Sequence, residues 1–341
     1  MERDAGAGPA RGPASSLEVM LTRKCMMSCD YCLVSRSGAC MERRTLRRAV
    51  DLLMTSQSRE MQLMFFGGEP LLRLDLLRWG MEYARESAAR TGRSVRFAVI
   101  TNGLLLDERA LQSLKDFQVE VLFNGSAQMG REGLEEKGGS ELGRRLKENL
   151  GALGRSGISH FVNLVVDPSR LPFLAQRVEA LAASGVRRVT FCLRLGVEWN
   201  QEDVKTLIVE IGRIMKRWPQ WSGPRDLEVL NAHEAMDPVM LSDDVVVDCD
   251  GGVYGWVGVF LENDFPELHR ALRVGRLEDM PSLEAARLGR EILYAKIRGA
   301  YPPDSVQARI LLNNISVGTL LRRRFESLRR EALPVGAEGP P

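Results

Sequence analysis

The chain has 341 residues, 44% of them apolar and 27% charged, with a formal net charge of +2. This length supports a large core with an appendage, and the near balance of charge argues against a protein that holds nucleic acid by bulk electrostatics. No run of 18 apolar residues occurs, so no helical membrane span is expected.

Residues 1–16, rich in Ala, Gly and Pro, lack the apolar centre of a signal peptide and read as a disordered lead-in. From residue 17 strand-like and helix-like stretches alternate. Strands are predicted at 17–22, 61–66, 95–101, 119–123, 160–167 and 186–193, and helices at 45–57, 75–90, 107–117, 140–156, 170–184 and 202–218. Residues 161–166 are apolar almost throughout, as in a strand buried on both faces. Thr45, Asp75 and Asp107 are the expected N-caps, and Gly157 and Gly185 suit left-handed helix ends. The alternation predicts right-handed crossovers onto a parallel sheet, an α/β fold.

Past Pro224 the rhythm changes. Short strands are predicted at 225–231 and 245–259, the second a hairpin turning at Asp250-Gly251-Gly252, followed by helices at 282–297 and 304–331. The break at Trp221-Ser222-Gly223-Pro224 divides the chain into the lead-in 1–16, a core 17–222, a C-terminal extension 223–333 and a disordered tail 334–341. Arg322, Arg323 and Arg324 read as a solvated helix face.

The six cysteines are Cys25, Cys29, Cys32, Cys40, Cys192 and Cys249. The first three form C-x3-C-x2-C directly after the first strand. Half of the thiols in one loop speak for a metal site in a reducing cytoplasm, not a disulfide framework. Soft thiolates select zinc, copper(I) or iron–sulfur clusters. Three are one short of a closed tetrahedral site. The loop therefore holds a centre with an open corner, or a zinc ion completed by Cys40 or a distant histidine. In parallel α/β barrels chemistry gathers at the carboxyl ends of strands. Gly67-Gly68-Glu69-Pro70 follows the second strand, Thr101-Asn102-Gly103 the third and Asn124-Gly125-Ser126 the fourth. The two glycines allow close approach to a ligand.

With Tyr31 just before the last cysteine, and with Phe65-Phe66-Gly67-Gly68-Glu69-Pro70 downstream, the loop resembles that of the radical S-adenosylmethionine (radical SAM) enzymes. The resemblance spans residues 17–195 and is faint beyond. It implies an open, partial (β/α)6 TIM-type barrel with a small α+β C-terminal extension. It implies that Cys25, Cys29 and Cys32 ligate three irons of one [4Fe–4S] cluster. The fourth iron is then chelated by S-adenosyl-L-methionine, whose one-electron cleavage releases a 5′-deoxyadenosyl radical. By the same resemblance Gly67, Gly68 and Glu69 receive the methionine ammonium group. Thr101 and Asn102 bind the ribose or carboxylate, and Ser126 joins them.

Two departures stand out. Peptide-modifying relatives carry Ser-x-Asp-Gly after the fourth strand, where this chain has Leu122-Phe123-Asn124-Gly125. Trp256 stands where relatives with SPASM or twitch extensions carry an auxiliary-cluster cysteine, so a remnant of that extension without a second cluster is expected. Asn163 and Arg194 are expected to line the barrel mouth and Cys192 to be an inert buried thiol. Asp248 and Asp250 read as turn residues, and no role follows for Cys40, His160 or His233. The expected partners are a peptide or small-molecule substrate and a reductant such as flavodoxin or ferredoxin, with no nucleic acid and no membrane. The alternatives are a radical SAM enzyme acting on a small molecule, and a non-catalytic iron–sulfur or zinc-binding scaffold.

Overall fold

A computed structural model describes residues 13–124, 141–221, 227–233 and 238–332. Six strands alternate with six helices: β1 (Ser16–Thr22), α1 (Arg43–Leu53), β2 (Glu60–Gly67), α2 (Leu74–Ala89), β3 (Ser94–Thr101), α3 (Glu108–Asp116), β4 (Glu120–Phe123), α4 (Glu141–Arg155), β5 (His160–Val166), α5 (Leu174–Ala183), β6 (Arg188–Leu193) and α6 (Gln201–Trp221). After them come β7 (Glu228–Val229), α7 (Leu230–His233), β8 (Val245–Val247), β9 (Gly252–Gly255), α8 (Pro266–Leu272), β10 (Arg273–Arg276), α9 (Leu283–Ala286), α10 (Arg290–Gly299) and α11 (Val306–Ala332). Among the described residues the strands form one sheet in the order β10-β9-β8-β1-β2-β3-β4-β5-β6-β7. It is parallel from β8 to β7, and β9 and β10 run antiparallel.

β1 is buried on both faces, whereas β2 to β6 bury their helix-facing residues and cover many of the alternate ones only in part. Leu17, Val19, Leu63, Phe65, Val99, Val121, Val162 and Val189 face the helices in the main core. The alternate residues face the barrel lumen, where Met20, Phe66, Val246 and Tyr254 form a separate cluster.

Asp107 caps α3 by accepting from the Ala110 N–H at 2.8 Å, as expected. Gly157 and Gly185 take φ of +74° and +90°, the left-handed ends expected after their helices. Thr45 and Asp75 are not caps but lie inside first turns. α1 begins at Arg43 because Met41 is already pinned, its N–H donating to the Leu21 carbonyl at 2.8 Å. α2 begins at Leu74 because a 3-10 turn, Pro70–Arg73, capped by Glu69, runs straight into it.

The C-terminal third differs more. β8 pairs in parallel with β1, Leu17 opposite Val245 and Val19 opposite Val247. The region beyond residue 222 thus extends the barrel's own sheet. The β8–β9 hairpin forms as expected, with Gly251 at φ +85°. Residues 256–259, expected as strand, lie in a 3-10 turn, Trp256–Phe260, and the helix expected at 282–297 is split into α9 and α10. Ala14, in the presumed lead-in, is buried; its N–H donates to the Glu284 carboxylate at 2.8 Å. The break at 222–226, Ser126 and the tail lie outside the described residues.

Candidate active site

β1 delivers the cysteine loop at the carboxyl edge of the sheet. The loop's two ends are fastened together. Arg23 donates its N–H to the Ala39 carbonyl at 3.0 Å, and Met41 to that of Leu21 at 2.8 Å.

Gly67 and Gly68 shape the loop's entry. The Gly68 N–H donates to the Thr22 carbonyl at 2.8 Å, and the Glu69 N–H to that of Lys24 at 2.9 Å. A Cβ on Gly67, at φ +144°, would lie 2.3 Å from the Thr22 oxygen, and one on Gly68 would lie 2.2 Å from the Lys24 oxygen. Both positions need glycine, but for a close approach within the chain and not to the ligand expected. What they approach is the backbone leading into Cys25, not open space.

Glu69 is fully buried, 0% exposed. Its Oε1 accepts from the Leu71 N–H at 3.0 Å and the Thr101 hydroxyl at 2.8 Å. Its Oε2 accepts from the Asn102 N–H at 2.8 Å. The carboxylate, expected to face an ammonium group, is turned inward to tie the β2 loop to the end of β3. Thr101 is likewise engaged inside. Asn102 reaches further, its Nδ2 lying 3.6 Å from the Cys25 sulfur and 3.4 Å from that of Met26. Gly103, at φ +82°, lets this turn close over Phe123, whose ring a Cβ would meet at 2.1 Å.

Burial pushes the Glu69 carboxyl up to about 7, against the pull of its three hydrogen bonds. A carboxyl raised in the folded state binds its proton more tightly there than in the unfolded chain. Its contribution to stability is complete below its ordinary value of 4.5 and is lost as pH rises through about 7. Between pH 4.5 and 7.5 the wild type is expected to lose on the order of 3 kcal/mol more than Glu69→Gln. Urea denaturation of both across that range measures it, and parallel curves would refute it.

Cys25 and Cys29 are half-buried, Cys32 is exposed, and none of the three is in a disulfide. Burial pushes the Cys29 thiol up, and neighbouring Cys32 and Cys25 add to this against Tyr31 and Arg36. Cys25, Cys29 and Cys32 present three soft sulfur donors on one loop, a donor set that fits an iron–sulfur cluster. Among the described residues no three His, Cys, Asp or Glu side chains converge on a single ion position.

The loop's far end is held by residues of β5 and β6. Arg194 donates to the Asp30 carbonyl at 2.9 Å and also pairs with the Asp167 carboxylate. Arg170 lies 3.2 Å from the Asp30 carboxylate. Arg194 is thus at the mouth as expected, bound to the cysteine loop. Asp167 was not anticipated as part of the site. Its signal was the Asp-Pro step at the end of β5, where it caps a 3-10 turn.

Asp248, read as a turn residue, is a buried partner of Arg23. Arg23 Nη2 lies 2.5 Å from Asp248 Oδ2, and Nε 3.3 Å from Oδ1. Cys249 donates to the Met20 carbonyl at 3.2 Å, its thiol pushed up by burial. Cys192, expected to be buried, is half-buried; desolvation pushes its thiol up to about 11. Cys40 lies 3.2 Å from the Thr22 hydroxyl. His160 sits at the amino end of β5, away from the mouth.

The Radical SAM superfamily model matches residues 19–170. An uncharacterised protein of Methanocaldococcus jannaschii is 24% identical over 212 residues, 58% of this chain and 71% of that protein. The PqqA peptide cyclase of Gluconobacter oxydans is 29% identical over 201 residues, 58% of this chain and 54% of the cyclase; the match thus spans about half of the cyclase's length. Among solved structures, anSMEcpe with bound AdoMet superposes with a TM-score of 0.72 at 16% identity, covering 94% of this chain and 99% of that one. The same protein with AdoMet and the Kp18Cys peptide gives 0.69 at 14% identity, covering 93% and 99%. At these identities the structures attest the fold, a partial barrel of parallel β/α units.

Proposed function

We propose, from the match of residues 19–170 to the Radical SAM superfamily model, that the chain is a radical SAM enzyme that cleaves S-adenosylmethionine reductively on one [4Fe–4S] cluster to take hydrogen from a peptide substrate. The observation that carries this reading is the gathering of Cys25, Cys29 and Cys32, none of them in a disulfide, in the loop at the carboxyl end of β1. When bound, the cluster and S-adenosylmethionine supply a 5′-deoxyadenosyl radical, chemistry beyond any side chain.

This chain's residues hold and shield. Cys25, Cys29 and Cys32 take one iron each. Gly67 and Gly68, the half-buried part of their motif, offer backbone carbonyls to the methionine ammonium group. Glu69 fixes that backbone from behind, and Asn102 sets the Cys25 side of the pocket. Thr101 shapes the same turn, and Ser126 is assigned to the cofactor's surroundings after β4. Arg194 and Arg170 hold the Asp30 end of the loop. The β8–β9 hairpin closes one flank against water.

A peptide substrate is supported by the names of relatives, the PqqA peptide cyclases, and by the peptide bound to anSMEcpe. The electron is assigned to a flavodoxin- or ferredoxin-class donor in a reducing cytoplasm. No helix among the described residues is long and apolar enough to cross a membrane.

The test is anaerobic reconstitution with iron and sulfide, then dithionite and S-adenosylmethionine. The expected product is 5′-deoxyadenosine, read by mass spectrometry. A protein that holds zinc and yields none of it would be a scaffold.

A further inference from the structure

The barrel mouth has two chemically different walls. On β1, β2 and β3 the lumen-facing residues immediately below the motif loops are Met20, Phe66 and Ile100, all part of the lumen cluster. Trp256 and Phe260, from the turn after β9, pack onto them. Phe66 meets Trp256 edge to face at 6.2 Å and Phe260 at 5.4 Å; Trp256 and Phe260 are 4.9 Å apart. Phe66 is buried, while Ile100, Trp256 and Phe260 keep part of their surface open. The wall therefore presents partly accessible aromatic carbon packed against Phe66, the residue before Gly67.

The opposite wall is built of amides. On β4 and β5 the helix-facing residues Val121, Phe123, Val162 and Leu164 lie in the main core, so Asn124 and Asn163 face the lumen. Asn163 Nδ2 lies 3.4 Å from Asn124 Oδ1. At the rim Arg23 pairs with Asp248 and Glu262, Arg194 with Asp167 and Arg170 with Asp30; deeper in the lumen the Glu18 carboxyl is pushed well up by burial, which favours its uncharged form. The two thiols in the lumen, Cys192 and Cys249, are kept neutral by burial. An ionic side chain entering here would be desolvated without a partner, whereas an apolar one would cover open aromatic surface.

We propose that the mouth binds an uncharged peptide segment, with an aliphatic or aromatic side chain against Phe66, Trp256 and Phe260 and its backbone amides facing Asn124 and Asn163. The inference rests on the reading of the chain as an S-adenosylmethionine-cleaving enzyme and goes on to specify which substrate group meets the reactive carbon.

The probes are side-chain-deuterated N-acetyl-leucinamide, N-acetyl-phenylalaninamide, N-acetyl-lysinamide and N-acetyl-aspartamide, added to the reconstituted, dithionite-reduced protein with S-adenosylmethionine. Each transfer breaks a C–D bond of the probe and forms one in 5′-deoxyadenosine. The carbon radical left on the probe is reduced by dithionite and protonated by solvent. The readout is the deuterated fraction of the total 5′-deoxyadenosine. The leucine and phenylalanine probes are expected to exceed the lysine and aspartate probes by about tenfold, and Trp256→Ala to remove most of that preference. Equilibrium dialysis of the same probes against the reconstituted protein should show the same order and the same loss.

Equal transfer from all four probes, transfer from none, or a preference unaltered in Trp256→Ala and in a second variant, Phe260→Ala, would overturn the proposal while leaving S-adenosylmethionine cleavage intact. Absence of any 5′-deoxyadenosine would remove the underlying reading as well.

Discussion

Cys29→Ala is expected to lower the iron bound after reconstitution to less than about a tenth of the wild-type amount. Cys29 is the middle thiol of the trio, and its removal leaves two thiolates where three corners need ligands. The fold is expected to survive. Cys29 is only half-buried, and the loop's ends are fastened without it by the Arg23–Ala39 and Met41–Leu21 hydrogen bonds. Circular dichroism and the melting temperature of the cluster-free variant should therefore match wild type. Cys40→Ala separates this reading from a zinc loop completed by Cys40. Cys40 leans on the Thr22 hydroxyl at 3.2 Å, and its loss is expected to leave iron content unchanged. Near-normal iron in Cys29→Ala would remove the ligand assignment; a loss in Cys40→Ala equal to that in Cys29→Ala would favour a four-thiolate site.

The barrel was legible in the sequence because its strands bury one face fully and much of the other in part, and its helices bury one face. Such periods are local properties of the chain. Asp107 could be recognised as a cap for the same reason, since its partner Ala110 is three residues away. The active-site motifs were legible as residue types. Gly67 and Gly68 signal a close approach, but nothing local says that Thr22 and Lys24 are what they approach. Glu69 signals a carboxylate at the mouth, yet its orientation is set by Thr101 and Asn102 on another strand. The C-terminal third was least legible. β8 belongs beside β1 through Val245–Val247, three residues of any ordinary apolar run. The charge that anchors it is split between Arg23 and Asp248, 225 positions apart. Asp248 lies in an Asp-Cys-Asp-Gly turn, where turn chemistry alone accounts for aspartate.

That anchor gives the largest expected effect on stability. Asp248→Ala is expected to destabilise the protein by about 3–5 kcal/mol, the range for removing one partner of a buried ion pair. Arg23 is 8% exposed, so without Asp248 its guanidinium stays buried. It keeps only the Glu262 carboxylate at 3.1 Å and the Ser35 carbonyl at 3.3 Å. Glu262 is a weak substitute because its side chain is 49% exposed and solvent screens it. Arg23 lies two residues before Cys25, and Asp248 opens the turn into β9. The pair therefore couples the cysteine loop to the hairpin that closes the sheet's edge. Glu198→Ala, which breaks an exposed pair with Arg309, is the comparison and should cost no more than about 1 kcal/mol. Arg23→Met combined with Asp248→Leu should recover most of the loss, because no unpaired charge is then left in the interior. Urea denaturation of the four proteins at neutral pH orders them. If Asp248→Ala unfolded together with Glu198→Ala, the hairpin would be held by β8–β1 pairing alone, and Asp248 would be the simple turn residue its sequence context suggests.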